Sequence, residues 1–489
     1  MYKHMGLAKT YIPVIGLEVH AELNTRTKMF CDCLNDPMNS QANLNICPVC
    51  VGHPGTLPVI NREAIESMIK IGMAVIGEIP AVSKFDRKHY LYPDLPKGYQ
   101  ISQYDIPFVF GGKLKGVNLT RIHLEEDAGK LSHGEDGSSL VDYNRAGLPL
   151  MELVTEPDIR EVEKIGEFGR ELQLLLRYLN VSDADMEKGQ MRVEVNLSLG
   201  TIVDGELVFG TKVEVKNINS FKAAMAAAEY EIQRQKELLE MGEAVIQETR
   251  GWDENKRRTF SQRIKEEAND YRYFPDPDLP AVDLSQFDFK KLRSEIPELP
   301  NEKRVRLEKE YGVKGDNLEL LVFERDFANY FEAVVSELRA DIKEDTARYE
   351  SLALNYLLSD LKGLMIADKV SDLSKVRVTP ENFADLVILI GSEKVNSRVG
   401  KDILKKMYDT GLDPNVILSE EGLEQVSDTA ELSKLANQII IENPEAVKGY
   451  KGGNDKILMF FVGKAMGALK GKGNPKILHE IFTKLLSET

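Results

Sequence analysis

Between residue 11 and about residue 290 the chain repeatedly alternates apolar and polar side chains with a period of two, the pattern of half-solvated antiparallel strands. In the first such segment Ile15, Leu17, Val19, Ala21 and Leu23 are apolar, while Gly16, Glu18, His20 and Glu22 fill the positions between. A second sets Arg192, Glu194, Asn196 and Ser198 against Val193, Val195, Leu197 and Leu199. A third opposes Lys212 and Glu214 to Val213 and Val215, with Lys216 following in step. Each strand so formed buries one face and offers chemistry on the other. Helices are predicted over Phe221 to Met241, capped by Asn219 or Ser220 and stopped by Gly242, and over Ile159 to Leu179, where Leu172, Leu175, Leu176 and Leu179 share a stripe.

The texture changes after the proline-rich segment Tyr271 to Pro280 and the stretch Glu295 to Pro300. Charged amphipathic helices dominate from about residue 300, and a break at Thr410 to Pro414 marks off a last module. The expected fold is α+β: an antiparallel β-rich domain over 1–294, then an all-helical domain over 295–411 and a helical tail over 412–489. No apolar run approaches the ~20 residues of a bilayer span, and none follows Lys3, His4 and Lys9 as in an export signal. A cytoplasmic protein without membrane contact is expected.

Composition alters this picture at one point. A formal charge of −16 over 489 residues argues against a generic nucleic-acid coat, so any phosphate-binding surface must be local. The tail supplies one: from Ala446 onward Lys448, Lys451, Lys456, Lys464, Lys470, Lys472, Lys476 and Lys484 face only Asp455, Glu480 and Glu488.

All four cysteines lie within one loop, 31–50. Cys31 and Cys33 form a C-x-C pair, and Cys47 and Cys50 a C-x-x-C pair. Two tight thiolate pairs suit a structural tetrahedral Zn²⁺ site, which leaves no open coordination position and no cysteine nucleophile.

The carboxylates carry the sharper signal. Glu18 and His20, two residues apart on a strand, project from one face about 6.5 to 7 Å apart at the backbone, close enough to share a cation. Glu152 stands within Leu148-Pro149-Leu150-Met151-Glu152-Leu153-Val154 and requires a compensating cation or donor. Glu126 makes the same demand, because alternation through Arg121-Ile122-His123-Leu124-Glu125-Glu126-Asp127 puts it on the face of Ile122 and Leu124. Singly, each is more often a satisfied structural carboxylate. An imidazole ligand favours Mn²⁺ or a bridging water over direct contact with Mg²⁺. Two further clusters combine charge with aromatics: Ser83 to Asp94, containing Lys88 and Tyr90, and Asp270 to Asp278. Lysine and arginine beside aromatic rings suit phosphate next to a base or ribose. The chain has no G-x-x-x-x-G-K-[ST] string, so any ATP site is not a P-loop.

These strings closely resemble the family of B subunits of aspartyl/glutamyl-tRNA amidotransferase. The resemblance is carried by Val14 to His20, Lys84 to Tyr90, His123 to Gly129, Glu152 to Ile159, Lys216-Asn217-Ile218-Asn219-Ser220-Phe221, Asp270 to Asp278 and Tyr450 to Pro475, and it runs from about Tyr11 to the end. It implies a "cradle" domain followed by two helical domains, the last contacting tRNA. The implied activity is ATP-dependent conversion of Glu-tRNA(Gln) or Asp-tRNA(Asn) to the amidated form through an acyl phosphate, in a heterotrimer with an amidase A subunit that releases ammonia and a small C subunit. It implies a Mg²⁺-type site at Glu18, His20, Glu126 and Glu152. Lys88, Tyr90, Arg192 and Lys216 would meet nucleotide, phosphate or tRNA 3′-end oxygens. On chemical grounds alone, Glu194 or another carboxylate of the cradle is expected to deprotonate incoming ammonium. Glu194 stands where the resemblance leads one to expect Asp, and Gln262 and Ile264 flank Arg263 in place of Met and Ser. The rival reading is a non-catalytic tRNA-binding or assembly subunit. A synthetase is disfavoured, since neither of its signature strings occurs.

Overall fold

The alternating segments become one sheet. The computed structural model describes residues 10–38, 40–134, 136–264, 271–422, 429–451, 454, 456–469 and 472–488. Two compact units, Met1–Asn301 and Glu302–Thr489, divide the chain.

The first unit is built on ten strands. Eight define its path: β1 (Ile12–Glu22), β2 (Val109–Phe110), β3 (Val117–Glu126), β4 (Pro149–Thr155), β5 (Met191–Val203), β6 (Val213–Lys216), β7 (Glu248–Asp253) and β8 (Arg258–Ile264). They lie in the order β8-β7-β6-β5-β1-β4-β3-β2, and every neighbouring pair is antiparallel except β6 with β7.

Residues directly opposite one another in paired strands share a face. The register therefore sorts the side chains into rows. Val193, Val19, Leu153 and Ile122 form one apolar row, and Met191, Ala21, Met151 and Leu124 form the next. These residues enter the main core, where they meet helices α1 (Arg62–Ala74), α2 (Glu163–Tyr178) and α3 (Phe221–Glu240). The opposite face carries the even positions of β1 and their cross-strand partners.

Local chemistry sets the helix ends. Ser220 caps α3 by accepting a hydrogen bond from the Ala223 N–H, as the sequence predicts, and Gly242 follows at a positive φ of 80°. Helix α2 begins later than expected, because Ile159 exchanges backbone hydrogen bonds with Ile15 of β1 and so belongs to the sheet. Gly169 lets α2 approach α3, since a Cβ there would lie 2.3 Å from the Phe221 ring.

A three-stranded sheet of Asp86–His89, Tyr99–Ser102 and Phe274–Pro275 ties the acidic-aromatic segment to the cradle. Arg87 clamps it, donating to Asp276 at 2.8 Å and to Asp278 at 2.9 Å, while His89 stacks on Phe274. Asp270 and the side chains of Arg263 and Ile264 lie outside the described residues.

The second unit is helical throughout its described length. At the break near residue 411, Gly411 takes a left-handed conformation and Asp413 caps the helix Pro414–Glu421. A distinct apolar core from Leu432 to Leu486 unites the last helices around Phe461 and Phe482. Lys448, Lys456, Lys464, Lys476 and Lys484 are exposed there; Lys470, Asp455 and the side chain of Lys451 lie outside the described residues. Among the described residues no helix is long and apolar enough to cross a membrane.

Candidate functional site

The polar face of the sheet gathers charges that the chain keeps far apart. Register aligns Arg192 with His20, His20 with Glu152, and Glu152 with His123, so four strands contribute one row. The flanking rows add Glu194 opposite Glu18 on one side and, on the other, Glu125 opposite Leu150.

Glu152 is the hub. One of its oxygens lies 3.3 Å from Nε2 of His20 and 3.3 Å from Nε2 of His123. His20 also stands 3.9 Å from both Glu18 and Glu125, and His123 stands 3.8 Å from Glu125. The Ser102 hydroxyl donates to Glu125 at 3.0 Å, fixing that carboxylate. Ligand-type atoms of Glu18, His20 and Glu152 all fall within 4.8 Å of one another, as do those of His123, Glu125 and Glu152.

A second acidic group adjoins the first through Glu18, which together with Glu194 and Glu214 satisfies the same 4.8 Å limit. Lys216 lies 2.8 Å from Glu194 and 3.5 Å from Glu214. Thr249 on β7 donates to Glu214 at 2.8 Å. At the other end Asp127, just past β3, accepts from Arg192 and Arg145 at 3.1 Å each.

Lys88 overlooks this face from the three-stranded sheet, its ammonium 5.8 Å from the Tyr90 ring and 5.2 Å from that of Tyr271. Tyr90 itself donates to Gln100 at 3.2 Å. Burial disfavours the Lys88 charge, but Glu125, Tyr273 and Glu152 more than offset this and raise its pKa.

Glu126 is not part of the cluster, contrary to expectation. The sequence reading put it with Ile122 and Leu124, and the structure agrees; that face, however, is the core face, and His123 and Glu125 occupy the face of Glu152. Glu126 instead accepts from Lys97 at 2.6 Å and from the Ile101 N–H at 2.9 Å. It lines a cavity of about 250 Å³ with Cys50, Tyr99 and Gly147. Four residues of the polar face escaped the sequence reading as site members: His123, Glu125, Asp127 and Glu214. Glu214 was legible in its strand's alternation. His-x-Glu at 123–125, set across from Glu-x-His at 18–20, was the signal for the first two.

Electrostatics follow from crowding. Burial would strip both imidazoles of charge, but Glu152 and Glu125 reverse this and hold His20 and His123 up at about 9. Burial likewise opposes ionisation of Glu152, yet the two imidazoles hold its carboxyl well below the usual range. Glu18 moves the other way: burial, then Glu152 and Glu194, push it up to about 7. At Asp127 burial is outweighed by Arg192 and Arg145, which pull it down to about 2. Without a cation, the face is thus neutralised by imidazoliums and by a partly protonated Glu18.

The four cysteine sulfurs form a separate group, also mutually within 4.8 Å. The Cys47 N–H donates to the Cys50 sulfur at 3.1 Å, and Lys28, buried beneath the loop, donates to the carbonyls of Ala146 and Tyr143. The Cys31 thiol, by hydrogen bonding to Cys50, holds that sulfur down at about 5. Four sulfurs so gathered suit a tetrahedral ion with metal–sulfur bonds of about 2.3 Å.

A titration checks the hub. By NMR in the absence of divalent cations, His20 and His123 should titrate near 9, and Glu152→Gln should return both toward 6.5. Since the folded values are raised, the stability these imidazoles add is complete below 6.5 and lost as pH climbs through about 9. Unchanged titration in Glu152→Gln would remove Glu152 from the centre of the network.

Comparison with known proteins gives the family. A family model described as the GatB/GatE catalytic domain matches residues 13–289, and one described as the GatB domain matches residues 329–486. The B subunit of aspartyl/glutamyl-tRNA(Asn/Gln) amidotransferase from Persephonella marina is 45% identical over 482 residues, covering 97% of this chain and 99% of its own length. The B subunits from Gloeothece citriformis and Caldicellulosiruptor bescii are each 42% identical, over 496 and 490 residues, and align over 98% and 99% of their own lengths. With both parts of the chain matched and full-length relatives at this identity, the chain belongs to the family of B subunits of aspartyl/glutamyl-tRNA(Asn/Gln) amidotransferase.

Proposed function

We propose that this chain activates the side-chain carboxyl of Glu-tRNA(Gln) or Asp-tRNA(Asn) with ATP and completes its amidation with ammonia from an amidase A subunit, held with it by a small C subunit. As a member of its family it is a subunit of a glutamine-dependent carbon–nitrogen ligase. The convergence of Glu18, His20, Glu125 and Glu152 on one polar face supports the finer reading most strongly.

A carboxylate resists ammonia because its charge is delocalised and its leaving group would be oxide. In the proposed step a carboxylate oxygen attacks the γ-phosphorus of ATP and ADP departs. The ammonia lone pair then attacks the carbonyl carbon of the acyl phosphate, inorganic phosphate leaves, and a proton passes from nitrogen to a nearby carboxylate. Positioning and charge neutralisation supply most of the rate in such transfers.

The donor set fits a hard divalent cation. Glu18, Glu125 and Glu152 with His20 would hold Mg²⁺ or Mn²⁺, the imidazole tilting preference toward Mn²⁺. Such an ion supplies electrostatic stabilisation of phosphate oxygens. Glu194 and Glu214, with Lys216 between them, form a neighbouring place for the nucleotide's phosphates and their cation. Lys88 and Tyr90 approach Glu125 from the aromatic side, and Glu194 is suited to accept the ammonium proton. The tail's exposed lysines support contact with the tRNA backbone. The cysteine loop fits structural Zn²⁺.

Alanine at Glu152 should abolish transamidation in the reconstituted complex while glutamine hydrolysis continues; retained transamidation would refute the site. For the loop, elemental analysis should find one zinc per chain, falling in Cys47→Ser with a lower Tm. A metal-free wild-type chain of equal Tm would contradict that assignment.

A further inference from the structure

Arg192 and Asp127 form a strap that the site's own packing does not require. Arg192 lies on β5 and Asp127 just beyond β3, with β1 and β4 between them in the sheet. Three inter-strand spacings, about 14 Å, separate those strand axes. The Arg192 and Asp127 side chains bridge that gap together, Nη2 of Arg192 donating to Asp127 at 3.1 Å.

Asp127 has other partners without it. The carboxylate is 3% exposed, and Arg145 approaches both of its oxygens, at 3.1 Å and 2.8 Å, while the Ala128 N–H adds a bond at 2.9 Å. With Oδ1 accepting from Arg145 and from the Ala128 N–H, and Oδ2 ion-paired to Arg145, the carboxylate is held in place before Arg192 is added. The beneficiary of the strap is therefore Arg192. Its side chain is 42% exposed, and a half-open arginine loses side-chain entropy when fixed in one orientation. Among the described residues it makes no other hydrogen bond or ion pair, so Nε and Nη1 remain uncommitted. Being directly opposite His20 in register, it holds these donors beside the carboxylate–imidazole cluster.

Resting on the function proposed above, we propose that Asp127 is a positioning residue, holding the Arg192 guanidinium beside His20 to receive an oxyanion of the reacting substrates. Two sources share that chemistry: the carboxylate borne by the misacylated tRNA and the transferring phosphoryl group of ATP. A planar guanidinium suits either, because two parallel N–H donors match a pair of oxygens. Arg145 serves the arrangement indirectly. It anchors Asp127 and also lies 3.7 Å from Glu22 at the end of β1, which ties the anchor to a second strand.

Steady-state kinetics of the reconstituted complex test this with Asp127→Asn, varying misacylated tRNA and ATP separately. The expected result is a rise of roughly tenfold to a hundredfold in one KM, the size typical of losing a partner that orients a functional group. The substrate whose KM rises identifies the oxyanion. In an Arg192→Met background Asp127→Asn should cause no further loss, since nothing remains to be positioned. Losses that multiply, or two unchanged KM values, would overturn the proposal. If Asp127→Asn does not fold, Arg192→Lys decides: its single ammonium cannot both pair with Asp127 and fork an oxyanion, so the same KM should rise, and a normal KM overturns the idea. Glu152→Ala, measured alongside, separates the two levels. Transamidation surviving that change defeats the functional reading itself, whereas its loss beside a normal Arg192→Lys defeats only the strap.

Discussion

The structure depends on one buried carboxylate shared by two imidazoles. Glu152 is 5% exposed and sits on a central strand. An unpaired carboxylate there would be costly enough to shift its own protonation. His20 and His123, arriving from the strands on either side, remove that cost, and each is in turn held by further carboxylates. The network is closed only because the strands pair in one register, since a slip of one residue would send every member into the apolar core. Fold and site are thus a single constraint: the alternation that builds the core on one side assembles the acid–imidazole face on the other.

This face is more heavily charged than stability alone favours. Buried ion pairs rarely improve on well-packed apolar residues, and burial, followed by Glu152 and Glu194, pushes Glu18 up to about 7. Three carboxylates crowd together at Glu18, Glu194 and Glu214, and Lys216 reaches two of them. Such an imbalance suits a site completed by a cation. The aromatic segment around Tyr271, clamped by Arg87, closes the face from above and brings Lys88 toward its carboxylates.

Much of this was legible in the residues. The two-residue period of β1 gave both its core and its chemical face, and Ser220 announced the start of α3. Glu18, His20 and Glu152 stood out because a polar group among apolar neighbours needs a partner. Glu126 met the same criterion and misled, because alternation says which residues share a face but not which face neighbouring strands use for chemistry. That choice resides in the pairing of His123 with Glu152, a long-range fact. Alternation puts Asp127 on the face opposite Glu126 as well, but its role was illegible because Arg192 and Arg145 reach it from distant segments. Ile159 fell outside the predicted helix because a distant strand, β1, claimed its backbone.

The central claim is that Glu18, His20, Glu125 and Glu152 form one cation-binding centre on the polar face. Anomalous diffraction from crystals of the complex soaked in Mn²⁺ tests it most directly. The account predicts a peak bounded by those four side chains, with none beside Glu126. A peak at Glu126, or no peak on the cradle face, would contradict it.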